Sequence, residues 1–159
     1  MGCCGVSYDE ATALLEGRIP EALLAESESV TNLAVRLSSL KAERVLEVGA
    51  GGGALIRALT PFFRQAALVL FADTALGYYG YVADELRSRF LDLLYISGCK
   101  DAIATWNMYA RYSIFVRRGG LIVFHNIGGV EMGKVWATLT SDADKRTVAI
   151  GGFGVLEVR

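Results

Sequence analysis

The 159 residues include only two prolines, three cysteines and one histidine, and no long apolar run. Cys3 and Cys4 are adjacent near one end and Cys99 stands alone, which suits neither a disulfide framework nor a zinc site. The longest apolar run, Ala66 to Ala72, falls far short of the roughly 20 residues a membrane-spanning helix needs. No basic segment followed by an apolar one opens the chain, so no secretion leader is expected and the cytoplasm is the expected compartment. Met1-Gly2-Cys3-Cys4 is a near miss to an acylation signal, because Val6 stands where that signal takes Ser or Thr. Charge of one sign is also lacking: 16 basic against 17 acidic side chains give a net charge of -1, which argues against a broad nucleic-acid footprint.

Apolar residues make up 53% of the chain, ample for one continuous core at this length, and no repeat or flexible linker divides it. We read residues 1–159 as one domain, with 1–41 a helical cover and 42–159 a sheet core. Val30, Leu33, Ala34, Leu37 and Leu40 recur at helical spacing behind Ser27 and Ser29 as candidate N-caps, and Pro20 separates this helix from a weaker one over Tyr8–Leu15. After that the period changes. Arg44–Val48, Ala67–Ala72, Leu91–Ile96 and Leu121–Phe124 are short, strongly apolar runs that read as buried strands. Helical patterns fall between them: Leu55, Leu59 and Phe62; Val82, Leu86 and Phe90; Ile103, Trp106, Ala110 and Ile114. Val130–Leu139 reads as a further helix, and Thr147–Ile150 and Phe153–Val158 as strands joined by a Gly151-Gly152 hairpin turn. The expected fold is therefore α/β: a Rossmann-like, mostly parallel sheet with helices on both faces and a C-terminal antiparallel hairpin.

Ligands of such sheets bind beyond the carboxyl ends of the strands. Four polar or glycine-rich clusters fall there: Gly49 to Gly53, Asp73-Thr74, Ser97 to Asp101 and His125-Asn126. The first is the most informative, since glycines allow a tight turn and close approach of backbone to a nucleotide cofactor at the start of a helix.

Val45-Leu-Glu-Val-Gly-Ala-Gly-Gly-Gly53 resembles the cofactor loop of class I S-adenosylmethionine-dependent methyltransferases, in which an acid stands two positions before the first glycine. Val116-Arg-Arg-Gly-Gly-Leu-Ile-Val-Phe124 is similar to that family's turn into its fifth strand. The resemblance covers roughly residues 29–159, set against the alternating strand and helix plan. It implies S-adenosylmethionine as cofactor, held by Glu47, Gly49, Ala50, Gly51, Gly53, Asp73, Thr74 and Ser97, with Asp73 placed for the ribose hydroxyls. Ser97-Gly-Cys-Lys-Asp101 and His125-Asn126 look most like the catechol and caffeoyl-CoA O-methyltransferases and the sugar O-methyltransferases near them. That likeness implies methyl transfer to a hydroxyl of a small-molecule acceptor, with Lys100 or His125 taking the proton.

The chain departs from this pattern in two places. Lys100 and Asn126 match the group, but Ser97 and His125 stand where it carries acids; the Ser97 hydroxyl and Asn126 amide that remain do not replace the carboxylates that a divalent cation such as magnesium prefers, so no metal is expected. Only 17 residues separate Asp73 from Leu91, where a helix, a strand and another helix take roughly 35 or more, so one strand fewer than the usual seven is expected. The tyrosines of Gly77-Tyr-Tyr-Gly-Tyr81 read as core cover, with stacking on adenine the alternative. An uncovered sheet edge would favour a homodimer. A second reading is a non-catalytic binding protein on the same fold. A third is an NAD-type dinucleotide-binding domain, since Gly49 to Ala54 also fits G-x-G-x-x-G/A with Asp73 downstream.

Overall fold

The computed structural model describes residues 5–49, 52–64, 68–72, 90–97 and 101–159. Helix α1 (Tyr8–Leu15) opens with a capping box: Ser7 Oγ accepts from Glu10 N–H at 3.2 Å, and the Glu10 carboxylate accepts from Ser7 N–H at 2.7 Å. A 3-10 turn, Glu21–Glu26, leads into α2 (Ser27–Ser38). The N-cap of α2 is Glu26, which makes no side-chain capping bond, so the capping expected of Ser27 and Ser29 does not occur. The preceding turn runs straight into the helix, so Ser27 is already its first residue.

Strand β1 (Arg44–Val48) is followed by α3 (Ala54–Leu59), β2 (Leu68–Ala72), β3 (Leu91–Ile96), α4 (Ala102–Tyr112), β4 (Val116–His125), α5 (Val130–Thr140), β5 (Arg146–Ile150) and β6 (Phe153–Glu157). Among the described residues these strands form one sheet of six, in the order β2-β1-β3-β4-β6-β5. The first four are parallel; β6 runs antiparallel to β4, and β5 to β6. The sequence reading of the hairpin holds, with Gly151 at φ 55° in its turn. Strand β4 starts earlier than Leu121: Val116 already pairs with Leu91, and the register shifts before Leu93. Gly119, at φ 75°, and Gly120 absorb this irregularity inside the strand. The helix expected over Val82 and Leu86 lies outside the described residues.

Alternation along the strands creates two cores. Val45, Leu93, Leu121, Val123 and Val155 face α1, α2 and α3, where Leu15, Leu33, Leu37 and Leu59 cover them. Leu46, Leu94, Ile122, Phe124 and Leu156 face α4 and α5, covered by Met108, Tyr112, Val135 and Leu139. The stripe expected on α4 is corrected here: Thr105, Met108 and Tyr112 are buried, whereas Ile103 and Ile114 are 72% and 63% exposed. Ile103 lies in the first turn of α4, and Ile114 lies past its end in a 3-10 turn, Ser113–Phe115.

At the amino ends of the strands, Asp92 ties three elements together. Its Oδ2 accepts from the Glu43 and Arg44 N–H groups at 2.8 and 2.9 Å, and its Oδ1 accepts from Arg117 Nε. These bonds are remote from the carboxyl ends and hold β1, β3 and β4 in register.

Candidate functional site

The chain leaves β1 for β2 on one side and returns to β3 on the other, so the order of strand addition reverses between the parallel β1 and β3. The carboxyl ends of these two strands therefore flank the crevice where open α/β sheets take their ligands. Ser97 N–H donates to Val48 O at 2.9 Å, closing the strand ends together. Gly49 has φ 115°, and a Cβ there would lie 1.6 Å from the Ser97 carbonyl oxygen, so only glycine fits. Gly53, at φ 76°, precedes α3 as its N-cap.

Glu47 lies beneath this crossing and is 3% exposed. Ser97 Oγ donates to its Oε1 at 2.7 Å, while Oε2 is buried without a hydrogen-bond partner among the described residues. Burial raises the Glu47 pKa above the ordinary carboxylate value. The Ser97 hydrogen bond, the nearby Gly53 N–H and the Arg57 charge pull the other way without cancelling it.

Two strands along, His125 ends β4. Glu47, Tyr95 and His125 project from the same sheet face, with Glu47 paired to Tyr95 and His125 to Phe153 in register. The His125 ring stacks on Phe153 (centroids 4.8 Å apart, 17° between planes) and lies 6.4 Å from the Tyr95 ring. Its Nε2 is 3.2 Å from Glu26 Oε2. Burial pushes the Tyr95 hydroxyl far above its ordinary pKa, and the Glu47 and Glu26 carboxylates add to the shift. Tyr95 is therefore a neutral phenol between two acids.

Of the residues expected at the site, the structure brings Glu47, Gly49, Gly53 and Ser97 together at the β1/β3 crevice, with His125 two strands away. Ala50, Gly51, Asp73, Thr74 and Lys100 lie outside the described residues, as do the tyrosines at 78, 79 and 81. Asp101 caps α4, its Oδ1 accepting from Ile103 N–H at 2.6 Å and Ala104 N–H at 3.3 Å. Glu26 and Tyr95 were not legible as site residues. Glu26 is 99 positions from His125 and carries no motif, and Tyr95 reads as one more apolar residue in a buried strand. Among the described residues no group of three His, Cys, Asp or Glu side chains is arranged to hold a metal ion, and no helix is long and apolar enough to cross a membrane. A separate cleft of about 730 Å³ opens between α1 and α2, lined by Tyr8, Leu15, Ile19, Leu24 and Glu28, on elements distant from the glycine crossing.

No family model and no curated protein matches the sequence. Solved structures do match the fold. The O-methyltransferase from Bacillus cereus in complex with SAH superposes with a TM-score of 0.65 at 11% identity, over 96% of this chain and 90% of that one. The O-methyltransferase TomG from Streptomyces achromogenes, in complex with SAM, gives 0.64 at 14% identity, over 95% and 88%. A methyltransferase from Geobacter sulfurreducens gives 0.62 at 13%, over 97% and 91%. The protein thus has the Rossmann-like fold of the class I methyltransferases. Within that class, its neighbours in structure include O-methyltransferases.

Proposed function

We propose that this chain transfers a methyl group from S-adenosylmethionine to a hydroxyl of a small molecule. The observation that carries the reading is the crossing of Gly49 over Ser97 above buried Glu47, at the point where the order of strand addition reverses. Backbone can approach a ligand closely there, and Glu47 Oε2 is an acceptor that a ligand ammonium group would satisfy. These features fit an amino-acid-bearing nucleoside. Glu47, Gly49, Ala50, Gly51, Gly53 and Ser97 would form one wall of its site, and Asp73 and Thr74 would bind the ribose.

The cofactor supplies an electrophilic methyl group on a sulfonium. The chain's share is to bind it, to align an acceptor oxygen in line with the methyl carbon and to exclude water, and most of the acceleration comes from that alignment. Lys100 and His125 are the candidates for taking the acceptor's proton. The reaction is proposed to need no divalent metal, because Ser97 offers a hydroxyl already committed to Glu47. We place the protein in the cytoplasm, acting as a single domain and as a homodimer through its sheet edge.

Calorimetric titration with S-adenosylmethionine and S-adenosylhomocysteine, beside an Asp73→Ala control, tests the reading. Binding that the control weakens supports it and leads to an acceptor screen with and without magnesium. Binding without turnover of any hydroxyl acceptor favours a non-catalytic binding protein. Absence of heat from folded protein overturns both.

A further inference from the structure

Resting on the methyl-transfer reading, we propose that Glu26 positions His125 as the base that receives the acceptor's proton, the two forming a carboxylate–imidazole pair across the rim of the sheet. Glu26 ends the turn before α2, and His125 ends β4. Their side chains meet with Nε2 3.2 Å from Oε2 and remain 23% and 38% exposed, so solvent and a ligand can reach them. A carboxylate only accepts, so a hydrogen bond here takes its proton from Nε2, and the tautomer that makes it carries its lone pair on Nδ1. Nδ1 makes no hydrogen bond to a described residue.

The ring is also fixed in orientation. Phe153 stacks on it at 4.8 Å, and the hairpin turn closes on Glu26: a Cβ at Gly152 would lie 2.9 Å from Glu26 Oε1, and one at Gly151 1.9 Å from Ser29 Oγ. Ile127 N–H donates to Gly152 O at 3.0 Å, tying the turn back to the segment after His125. The titratable groups facing the ring from the described elements are Glu26 and Tyr95, with Glu47 next along the same face; Tyr95 is neutral and Phe153 uncharged. The negative charge nearest Nε2 is thus Glu26. A base held by a second group that stabilises its protonated form is the general arrangement of an activated proton acceptor.

In the step itself, the acceptor O–H proton passes to Nδ1 as the oxygen lone pair forms the new O–C bond. The S–C electron pair stays on sulfur, which leaves as a neutral thioether. His125 becomes an imidazolium opposite the Glu26 carboxylate and returns its proton to solvent, so charge and atoms balance.

His125 is the single histidine, so its nuclear magnetic resonance signals and its chemical modification need no assignment. The test combines ¹⁵N spectroscopy of the imidazole with acylation by diethyl pyrocarbonate, on wild type, Glu26→Ala and Glu26→Gln. The wild type should show the Nε2–H tautomer and be acylated on Nδ1 in the folded state. Glu26→Ala should give mixed tautomers and acylation on both nitrogens, whereas Glu26→Gln, which keeps an acceptor oxygen, should hold the wild-type tautomer. An imidazole inert until the protein is denatured, or acylated on Nε2 with Glu26 present, would overturn the proposal. With an acceptor in hand, Glu26→Ala should lower kcat by about tenfold or more while KM stays unchanged; an unaltered kcat also overturns it. None of the spectroscopic or acylation outcomes depends on S-adenosylmethionine, so loss of the methyl-transfer reading shows separately, as absent cofactor binding.

Discussion

Ser97 Oγ donates to Glu47 Oε1 at 2.7 Å, joining the residue just past β3 to the penultimate residue of β1 across the point where the order of strand addition reverses. The Ser97 hydroxyl thus supports the buried Glu47 carboxylate.

Burial, which the Ser97 hydrogen bond offsets only in part, makes Glu47 costly to the free protein. Its folded-state pKa is raised, so the stability it contributes is full below the unfolded carboxylate value and is lost as pH rises through the raised folded value. Glu47→Gln should therefore raise the melting midpoint at neutral pH by roughly 2–4 °C, the shift that about 1 kcal/mol gives in a domain of this size. It should also abolish binding of S-adenosylhomocysteine. In the wild type, binding should strengthen as pH rises through the raised value and should release protons, measured calorimetrically in buffers of different ionisation enthalpy.

Placing an acid at position 97 should not create a metal site. Ser97→Asp places a second carboxylate against Glu47, and two like charges so close cannot both ionise without penalty. The expected result is a lower melting midpoint at neutral pH that recovers on acidification, with no added response to magnesium in thermal shift assays. Wild-type turnover should likewise be unchanged by EDTA.

Gly49→Ala should separate the two strand ends. The new Cβ would overlap the Ser97 carbonyl, and the φ of 115° is strained for any L side chain. Strain of this kind costs about 1–3 kcal/mol before the overlap is relieved. Reduced stability together with loss of S-adenosylhomocysteine binding, read by denaturant titration and calorimetry, is the expected outcome.

Asp92 provides the contrast, since it holds the opposite end of the sheet. Burial raises its pKa, but the Arg117 hydrogen bond and the Glu43 and Arg44 N–H groups outweigh that and leave it lowered. Its stabilisation is present above the unfolded value of about 3.9 and disappears as pH falls through the lowered folded value. Asp92→Ala should cost about 2–3 kcal/mol by leaving donors unpaired. At a pH and temperature where the variant is still folded, its affinity for S-adenosylhomocysteine should be that of the wild type.

Much of the fold is legible along the chain because its determinants are local. Tyr8–Leu15 has its Ser7 and Glu10 capping pair, Leu91–Ile96 is apolar at every position but Asp92, and Gly151-Gly152 marks the hairpin. Periodicity fails at the two ends of the α4 pattern, where Ile103 and Ile114 are exposed. At the site, the glycine loop and Glu47 stand out because backbone geometry and one acid at fixed spacing constrain the residue types. Glu26 does not, since its partner is supplied by a strand 99 positions away.

The sequence by itself determined the α/β alternation, the glycine turn after the first strand, the acid that precedes it and the closing hairpin. Each depends on neighbours a few residues apart, through strand period, cap chemistry and positive φ. The tertiary structure alone decided that Ser97 faces Glu47, and that Glu26 lies against His125. These contacts are set by strand order and by the packing of α2 and its preceding turn over the sheet, and the spacing of residues along the chain does not encode them.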